Sequence, residues 1–324
     1  MIATAPTVLD VLAARQRLSH HLHPTPLLES AWLSEATGAT VFLKVESLQP
    51  ARSFKTRGAL NALMRLSESG GPARTIVTAS AGNHGRAVAM AAGTLGQRAV
   101  VFVPSTAPAT KKTAIAQHGA ELHDEPIDYD TAENDARAYA VRENAVYVSP
   151  YNDADVIAGA GTIALELLAS LPAFDVLVVP LGGGGLASGL GIALKSLAPH
   201  VTIVGVEAAA STPFATGIAR GEITTIEVGP SLADGLTGNL EPGSITFDLV
   251  RRHVDRLVTV SERDLASAIR GLAAEEHLIA EGAGAAATAA VLHAHAAAPG
   301  QRVVSLLTGG NIDLSVLAAV LSGS

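Results

Sequence analysis

Residues 181–189 read LGGGGLASG and stand directly after the apolar run FDVLVVP at residues 174–180. Glycine has no Cβ, so four glycines in succession let the backbone approach a ligand closely and direct several N–H groups at it. Those donors, together with the start of the following helix, suit a phosphate group. We therefore expect this turn to bind a phosphorylated ligand, although a tight strand-to-helix turn without a ligand would also use glycine.

The residues that follow the glycines separate two kinds of phosphate site. No Lys-Ser or Lys-Thr pair comes after them, so the loop is not a P-loop. Gly182, Gly184 and Ala187 do fit the dinucleotide pattern G-x-G-x-x-A, and the next strand pattern ends in Glu207, near the place of a ribose-binding acid. An NAD-dependent dehydrogenase therefore stays open as an alternative, although one such pattern in mid-chain supports it only weakly.

A lysine stands at the start of a predicted helix. SFKTRGALNAL (53–63) has the spacing of an amphipathic helix, with Ser53 as its N-cap and Lys55 in its first turn. Most lysines are solvated surface residues. A lysine amine acts as a nucleophile only when it is partly deprotonated, which desolvation in a cleft promotes.

Two more segments place polar groups where strands end. SAGNHGRA (80–87) forms a strand-to-helix corner, where small residues leave backbone N–H groups free for an anion and Asn83 stands beside them. A helix start capped by Asn or Ser has the same composition. LLTGGN (306–311) carries Thr308 at the carboxyl end of a strand pattern, where α/β sheets bind their ligands.

Short apolar runs alternate with longer stretches rich in alanine and leucine, which is the pattern of strands separated by helices. The predicted strands are 75–80, 98–104, 120–125, 145–150, 174–180, 201–207, 256–261 and 302–308. The predicted helices are 81–96, 109–119, 131–144, 185–198, 261–278 and 281–292. Helices of this length imply right-handed crossovers and parallel sheets covered on both faces. We predict an α/β fold with one sheet around 75–145 and a larger one built from both flanks.

Composition excludes several classes of protein. The 324 residues are 48% hydrophobic and 16% charged, which fits a compact chain with a sizeable core. A net charge of −8 with only 3% aromatic residues does not suit a nucleic-acid binder or an anionic membrane surface. The chain has no cysteine, so disulfides and thiolate chemistry are excluded. The N-terminus does not have the pattern of a signal peptide, and we expect a cytoplasmic protein.

In this order and at these separations, SFKTRGA, SAGNHGRA, GGGGL and TGGN resemble the serine/threonine dehydratase family of pyridoxal-phosphate enzymes, which has serine-racemase relatives. SLADGL (231–236) and EGAGA (281–285) also resemble that family, and the likeness extends over residues 24–311. It implies a tryptophan-synthase-β-like fold, called fold type II among pyridoxal-phosphate enzymes. Such a fold has two domains, each with a helix-covered and mainly parallel sheet, and holds the cofactor in the cleft between them.

The resemblance implies boundaries for those domains. Residues 1–67 and 148–324 would form a large cofactor-binding domain, and residues 68–147 a small, mobile domain on the substrate side. It also implies a homodimer. Few residues follow TGGN, so we expect no C-terminal effector-binding domain of the kind that some threonine dehydratases carry.

Roles for individual residues follow from the same resemblance. Lys55 would form a Schiff base with the aldehyde of pyridoxal 5′-phosphate and then take the Cα proton of the substrate. The other cofactor contacts would be Phe54 beside the ring, Asn83 at its 3-hydroxyl, Thr308 at its nitrogen, and Gly182, Gly183, Gly184, Gly185 and Leu186 at its phosphate. The substrate carboxylate would lie in a cradle made of Ser80, Ala81, Gly82, Asn83 and His84.

The implied activity is that of a dehydratase and ammonia-lyase. It would convert a 3-hydroxy amino acid, first of all L-threonine and L-serine, to a 2-oxo acid and ammonia by β-elimination. Another 3-hydroxy amino acid stays open as the substrate (3-hydroxyaspartate, phenylserine or a hydroxyectoine-derived catabolite), because the side-chain pocket lies in the variable residues 208–245. Amino-acid racemisation is a further alternative, and a silent ligand-binding relative would not need Lys55.

Three positions depart from the family pattern. Racemases of the family carry a serine that acts as acid and base where this chain has Ala81, which cannot transfer a proton, so racemisation is the less favoured activity. Glu207 matches one acidic ligand of a cation site in some relatives, but Pro213 replaces the other. We therefore expect no metal, with Glu207 as the only candidate ligand. Arg86 replaces the glutamine usual in dehydratases, and the sequence predicts no role for it.

Overall fold

Ten β-strands in two sheets organise the part of the chain that the computed structural model describes, which is residues 4–68, 70 and 73–323. In chain order the strands are β1 (Leu27–Ser30), β2 (Thr40–Val45), β3 (Ile76–Ala79), β4 (Ala99–Phe102), β5 (Glu121–His123), β6 (Val146–Tyr147), β7 (Val176–Pro180), β8 (Thr202–Ala208), β9 (Arg256–Val260) and β10 (Arg302–Leu307).

The helices that connect and cover these strands are mostly two to four turns long. They are α1 (Val8–Leu18), α2 (Ala31–Thr37), α3 (Lys55–Glu68), α4 (Asn83–Leu95), α5 (Ala109–Ala116), α6 (Tyr129–Arg142), α7 (Ala154–Ser170), α8 (Gly185–Leu197), α9 (Pro213–Arg220), α10 (Ile245–His253), α11 (Glu262–Glu275), α12 (Gly282–His293) and α13 (Leu314–Ser322).

The larger sheet has six strands in the order β1-β2-β10-β7-β8-β9. Only the edge strand β1 runs antiparallel to its neighbour, and the other pairs are parallel. Strand β10, close to the C-terminus, lies between β2 and β7, with Val303 paired to Val41 on one side and Val176 on the other. The N-terminal and C-terminal parts of the chain therefore share one sheet.

The smaller sheet has four strands in the order β5-β4-β3-β6, and all of its pairs are parallel. The central strands β3, β4 and β7 are buried along their whole length, as expected where helices cover both faces. Helix α3 packs against α7 of the larger region and α4 of the smaller one through a shared apolar cluster that includes Leu60, Val88 and Val156. The helix that begins at Lys55 therefore lies at the junction of the two sheets.

The α/β class, the two parallel sheets and every predicted strand and helix are confirmed, with shifts of a few residues at their ends. Helix α4, for example, ends at Leu95 and is followed by its C-cap Gly96, whose φ of 65° lies in the left-handed region that suits glycine. The predicted N-cap is wrong: α3 begins at Lys55, and the buried Ser53 hydroxyl has no partner among the described residues. No helix in that part of the chain is both long and apolar enough to cross a lipid bilayer.

Candidate active site

The segment that carries the lysine lies beside the segment that follows β10. Phe54 donates its backbone N–H to the carbonyl oxygen of Thr308 at 3.0 Å, and Ser53 forms an isolated bridge with Gly309. The Thr308 hydroxyl is buried and donates to the carbonyl oxygen of Ala283 at 3.3 Å. Two motifs that are some 250 residues apart in the sequence thus share one corner of the larger sheet.

The Lys55 amine is held at the start of α3 with little solvent. Its Nζ donates to the carbonyl oxygen of Pro150 at 2.7 Å and lies 5.1 Å from the centroid of the Phe54 ring. Desolvation lowers the pKa of Lys55 to about 8, against the opposing field of the Glu281 carboxylate. An amine of that pKa is neutral in about one molecule in ten at pH 7, far more often than an unperturbed lysine.

The glycine loop lies next to the same carbonyl. The Tyr151 ring, one residue after Pro150, covers Gly183 so closely that a Cβ there would come within 2.3 Å of ring carbon atoms. Gly184 has a φ of +85°, and its Cβ would meet the Phe214 ring at 2.6 Å. Both positions therefore require glycine. Tyr151 is fixed in turn, because its hydroxyl accepts the backbone N–H of Glu241 at 2.9 Å.

Backbone N–H groups of this loop are free to bind an anion. Among the described residues, the amides of Gly182 to Ala187 have no hydrogen-bond acceptor, since they precede or begin α8. A run of unpaired amides at the start of a helix, on a backbone that side chains cannot crowd, is the arrangement that binds phosphate in proteins.

The corner at residues 80–84 presents a second set of such donors. The amides of Ala81, Asn83 and His84 have no acceptor within the described parts of the chain, and the Ser80 hydroxyl accepts the N–H of Gly82 at 3.2 Å. The His84 ring points away into the smaller region, where Nε2 donates to the carbonyl oxygen of Val148 at 3.2 Å. Burial and the charge of Lys55 lower the pKa of His84 to about 3, so the ring is neutral.

Sequence analysis gave no role to Glu281 and Asn311, which the structure brings into the site. The buried Glu281 carboxylate accepts a hydrogen bond from the Asn83 amide, and Asn311 donates to Asn83 Oδ1 at 2.6 Å. Desolvation raises the pKa of Glu281 to about 7, against the hydrogen bond from Asn83. Both residues belong to the quoted segments EGAGA and TGGN, but nothing in the sequence indicates that they meet Asn83.

Glu207 is bonded to neither Asn83 nor Glu281 among the described residues, and it caps a helix instead. Its two carboxylate oxygens accept the backbone N–H groups of Phe214 at 2.8 Å and Ala215 at 3.0 Å, in the first turn of α9. Desolvation raises the pKa of Glu207 to about 7 despite these bonds. Within residues 4–68, 70 and 73–323, no three His, Asp or Glu side chains come together as metal ligands would.

The residues present fit pyridoxal phosphate. The unpaired amides of the glycine loop suit its phosphate, the desolvated Lys55 amine suits its aldehyde, and Thr308 and Asn83 offer a hydroxyl and an amide to polar atoms of its ring. Gly309 has no room for a side chain, because a Cβ there would meet Glu281 Oε1 at 2.1 Å. The fit thus depends on tight backbone turns and on backbone amides that have no acceptor among the described residues.

Comparison with known proteins gives the same picture. Residues 18–309 match a family model described as pyridoxal-phosphate dependent enzyme. An L-threonine ammonia-lyase of Thermotoga maritima is 40% identical over 98% of this chain and 78% of that protein.

Two solved structures share the architecture over nearly their whole length. A threonine deaminase from T.th. has a TM-score of 0.88 and 37% identity, with 95% of this chain and 99% of that chain covered. Maize serine racemase has a TM-score of 0.91 and 29% identity, with 99% and 98% covered.

Proposed function

The chain belongs to the family of pyridoxal-phosphate dependent enzymes, and we propose that it is an ammonia-lyase that acts on L-threonine and L-serine. In that reaction the substrate loses its Cα proton and its β-hydroxyl, and water then releases ammonia and leaves a 2-oxo acid. The observation that carries the proposal is the Lys55 amine, which is held at the head of α3 with its pKa lowered to about 8 by desolvation.

Lys55 would serve twice in this reaction. It is the nucleophile that holds the cofactor, and its neutral amine then takes the Cα proton of the substrate. Bound pyridoxal phosphate supplies the electron sink that makes this proton acidic. The Pro150 carbonyl, which accepts from Lys55 Nζ at 2.7 Å, keeps the amine directed into the cleft while it is free.

Two sets of backbone donors would orient the cofactor and the substrate. Gly182, Gly183, Gly184, Gly185 and Leu186 would bind the phosphate of the cofactor through their N–H groups. The corner of Ser80, Ala81, Gly82, Asn83 and His84 would bind the substrate carboxylate, with His84 contributing its backbone only because its ring is turned to Val148. Phe54 would border the cofactor ring and Thr308 its nitrogen, as the resemblance implies.

Elimination is favoured over racemisation by the groups on the two sides of the site. The methyl group of Ala81 packs against the apolar cluster around Val101 and Ile115 and offers no proton to the second face of the substrate. A dehydrogenase is disfavoured because Glu207, the candidate ribose-binding acid, is fully buried and both of its oxygens accept N–H groups of α9.

The test is an assay of the purified protein loaded with pyridoxal phosphate. We expect release of a 2-oxo acid and ammonia in equal amounts from L-threonine and L-serine. 3-Hydroxyaspartate and phenylserine, assayed beside them, decide the substrate class, and chiral chromatography of remaining substrate measures racemisation. Rapid formation of the D-amino acid without 2-oxo acid would refute the proposal, as would turnover restricted to a different 3-hydroxy amino acid.

We further propose a cytoplasmic homodimer in which residues 68–147 move as a small domain against residues 1–67 and 148–324. Support for dimerisation comes from the resemblance to the serine/threonine dehydratase family, which implies a homodimer. Light scattering on the purified protein measures the dimer, and small-angle scattering with and without substrate measures closure. A monomer at micromolar concentration would contradict the proposed dimer. A radius of gyration that substrate leaves unchanged would contradict the proposed domain movement.

A further inference from the structure

Arg86 heads a chain of hydrogen bonds that ends at Asn83. Arg86 Nη1 donates to Asn311 Oδ1 at 2.7 Å, and Asn311 Nδ2 donates to Asn83 Oδ1 at 2.6 Å. Asn83 Nδ2 in turn donates to Glu281 Oε1. We propose that Arg86 and Asn311 are positioning residues that fix the orientation of the Asn83 amide, an inference that rests on the proposed role of Asn83 at the cofactor.

The direction of the chain follows from the chemistry of its first member. A guanidinium group has five N–H donors and no acceptor, so the atom of Asn311 that faces Arg86 must be the amide oxygen. The NH₂ group of Asn311 then points the other way, where it donates to the carbonyl oxygen of Ala51 at 3.0 Å as well as to Asn83.

The same logic carries over to Asn83. Its oxygen faces the donor Asn311, so its NH₂ group faces the buried carboxylate of Glu281. The cofactor 3-hydroxyl oxygen, which Asn83 would contact, is an acceptor when ionised and therefore needs this NH₂ group rather than the amide oxygen. If the amide were reversed, its oxygen would face both Glu281 and the cofactor, and like partial charges would meet.

A neutral amide in place of Arg86 would remove one of the groups that set this direction. Glutamine presents either its oxygen or its NH₂ group, so only the Ala51 carbonyl and the Glu281 carboxylate would then oppose reversal of Asn311 and Asn83. Arg86 lies on α4, one turn after Asn83. Desolvation, together with the nearby charge of Arg52, lowers the pKa of Arg86. The arginine thus gives the chain one direction.

The experiment compares Arg86→Met, Arg86→Lys and Asn311→Leu with the parent protein. We expect Arg86→Met and Asn311→Leu each to weaken pyridoxal-phosphate binding by about tenfold, because one oriented hydrogen bond is lost. The ratio of the two visible and near-ultraviolet absorption bands of the bound cofactor should change with it, since the protonation of its 3-oxygen sets that ratio. Arg86→Lys, which is also only a donor, should restore most of the affinity and the parent spectrum.

Arg52→Gln is the matched control. It removes a neighbouring charge, but the Arg52 side chain takes no part in the chain from Arg86 to Asn83. If Arg52→Gln changed affinity and spectrum as much as Arg86→Met, the effect would be one of charge, and the proposal would be wrong. An unchanged spectrum and affinity in Arg86→Met would also overturn it.

Melting temperatures of the cofactor-free variants show whether each one folds. If Arg86→Met and Asn311→Leu both fail to fold, Arg86→Lys and a further variant, Arg86→Gln, still test the proposal. The absorption spectrum of the lysine variant must match that of the parent, and the spectrum of the glutamine variant must differ from it. Binding and absorption are measured without substrate. A chain that binds pyridoxal phosphate and shows these differences but leaves threonine intact would therefore refute the proposed function and not the positioning role.

Discussion

The first turn of helix α3 carries two cations, Lys55 and Arg57, in opposite electrostatic settings. Arg57 belongs to a buried ion cluster made of Lys44, Glu46, Arg57 and Glu166, in which two positive and two negative side chains are paired. In the cleft, the Pro150 carbonyl oxygen is the one hydrogen-bond partner that Lys55 Nζ has among the described residues. The same helix thus serves as a structural anchor on one side and as a carrier of reactive chemistry on the other.

Pairing decides the direction in which burial moves each group. In the buried ion cluster, Arg57 bonds Glu46 Oε2 at 2.7 Å and Glu166 Oε1 at 2.6 Å, and these charges outweigh desolvation, so the pKa of Arg57 is raised and that of Glu166 lowered. Desolvation prevails in the cleft, where the pKa of Lys55 falls to about 8 and that of Glu281 rises to about 7. Paired groups stay charged, whereas the groups of the cleft are poised to exchange protons.

The proposed function gives Lys55 a catalytic role, whereas the buried ion cluster gives Arg57 a structural one. Removing Lys55 tests the catalytic role. Lys55→Met should lower turnover of L-threonine by about 10⁴-fold or more, because nucleophile and base are lost together. The measurement is 2-oxo acid release at saturating substrate, with Lys195→Met as the control. Lys195 bonds Asp255 and the Val201 carbonyl at the edge of the larger sheet, so its loss should leave turnover near that of the parent. Comparable losses in both variants would contradict the role of Lys55.

Removing Arg57 tests the structural role. Arg57→Met leaves the buried carboxylates of Glu46 and Glu166 with Lys44 as the one ion-pair partner among the described residues. Breaking such a buried pair costs about 3–5 kcal/mol of folding free energy. Urea denaturation of the cofactor-free protein measures the free energy of unfolding. Arg98→Met is the matched control, because Arg98 pairs with Glu121 on the surface and should change almost nothing. Equal losses in the two variants would show that the cluster does not anchor α3.

Adding a methyl group to the glycine loop tests whether the cleft, like the buried ion cluster, depends on close packing. Gly183→Ala places a Cβ within 2.3 Å of the Tyr151 ring, and relieving that overlap should cost about 1–3 kcal/mol, part of it as weaker cofactor binding. Fluorescence titration of the cofactor-free protein with pyridoxal phosphate measures the loss. Gly229→Ala is the control, since its Cβ would meet its neighbours at 3.5 Å or more. If Gly183→Ala bound the cofactor like the parent, the loop would not require glycine there.

The periodic part of the fold is accessible from sequence, and the anchor beneath the site is not. Strands such as β3 and β7 are continuous apolar runs next to glycine-rich corners, and they were predicted almost to the residue. Strand β2 was missed because it contains Lys44, whose partner Glu166 is 122 residues away. A buried ion pair is invisible in a local pattern, because each member alone looks like a surface charge.

The site divides in the same way. The glycine loop stands out locally, since four glycines after a strand are unusual by themselves. Lys55 is indicated only by the motif that contains it, because most lysines are solvated surface residues. The partners of Asn83 do not stand out, because Glu281 and Asn311 are 198 and 228 residues from it along the chain. The motifs that contain them indicated the neighbourhood, but only the tertiary structure shows which atom donates to which.

The smallest expected effect is the loss of folding stability caused by burying the Lys55 amine in the cleft. The pKa of Lys55 is about 8 in the folded chain and 10.5 when unfolded, so the folded state holds its proton less tightly and the charged amine destabilises it. That cost is present in full below pH 8 and disappears as the pH rises to 10.5. Cofactor-free Lys55→Met should therefore be more stable than the parent at pH 7, by about 1 kcal/mol once the lost bond to Pro150 is deducted.

Urea denaturation at pH 7 and at pH 9.5 measures this difference, which should shrink at the higher pH because the parent gains stability there. Arg57→Met gives the opposite sign at both values, since the buried ion cluster loses a charge that its partners need. If Lys55→Met were less stable than the parent by the same amount at both pH values, Lys55 would be a structural residue like Arg57. The proposed difference between Lys55 and Arg57 would then be wrong. A gain in stability that decreases as the pH rises would mean that burying the charged Lys55 amine in the cleft destabilises the folded protein.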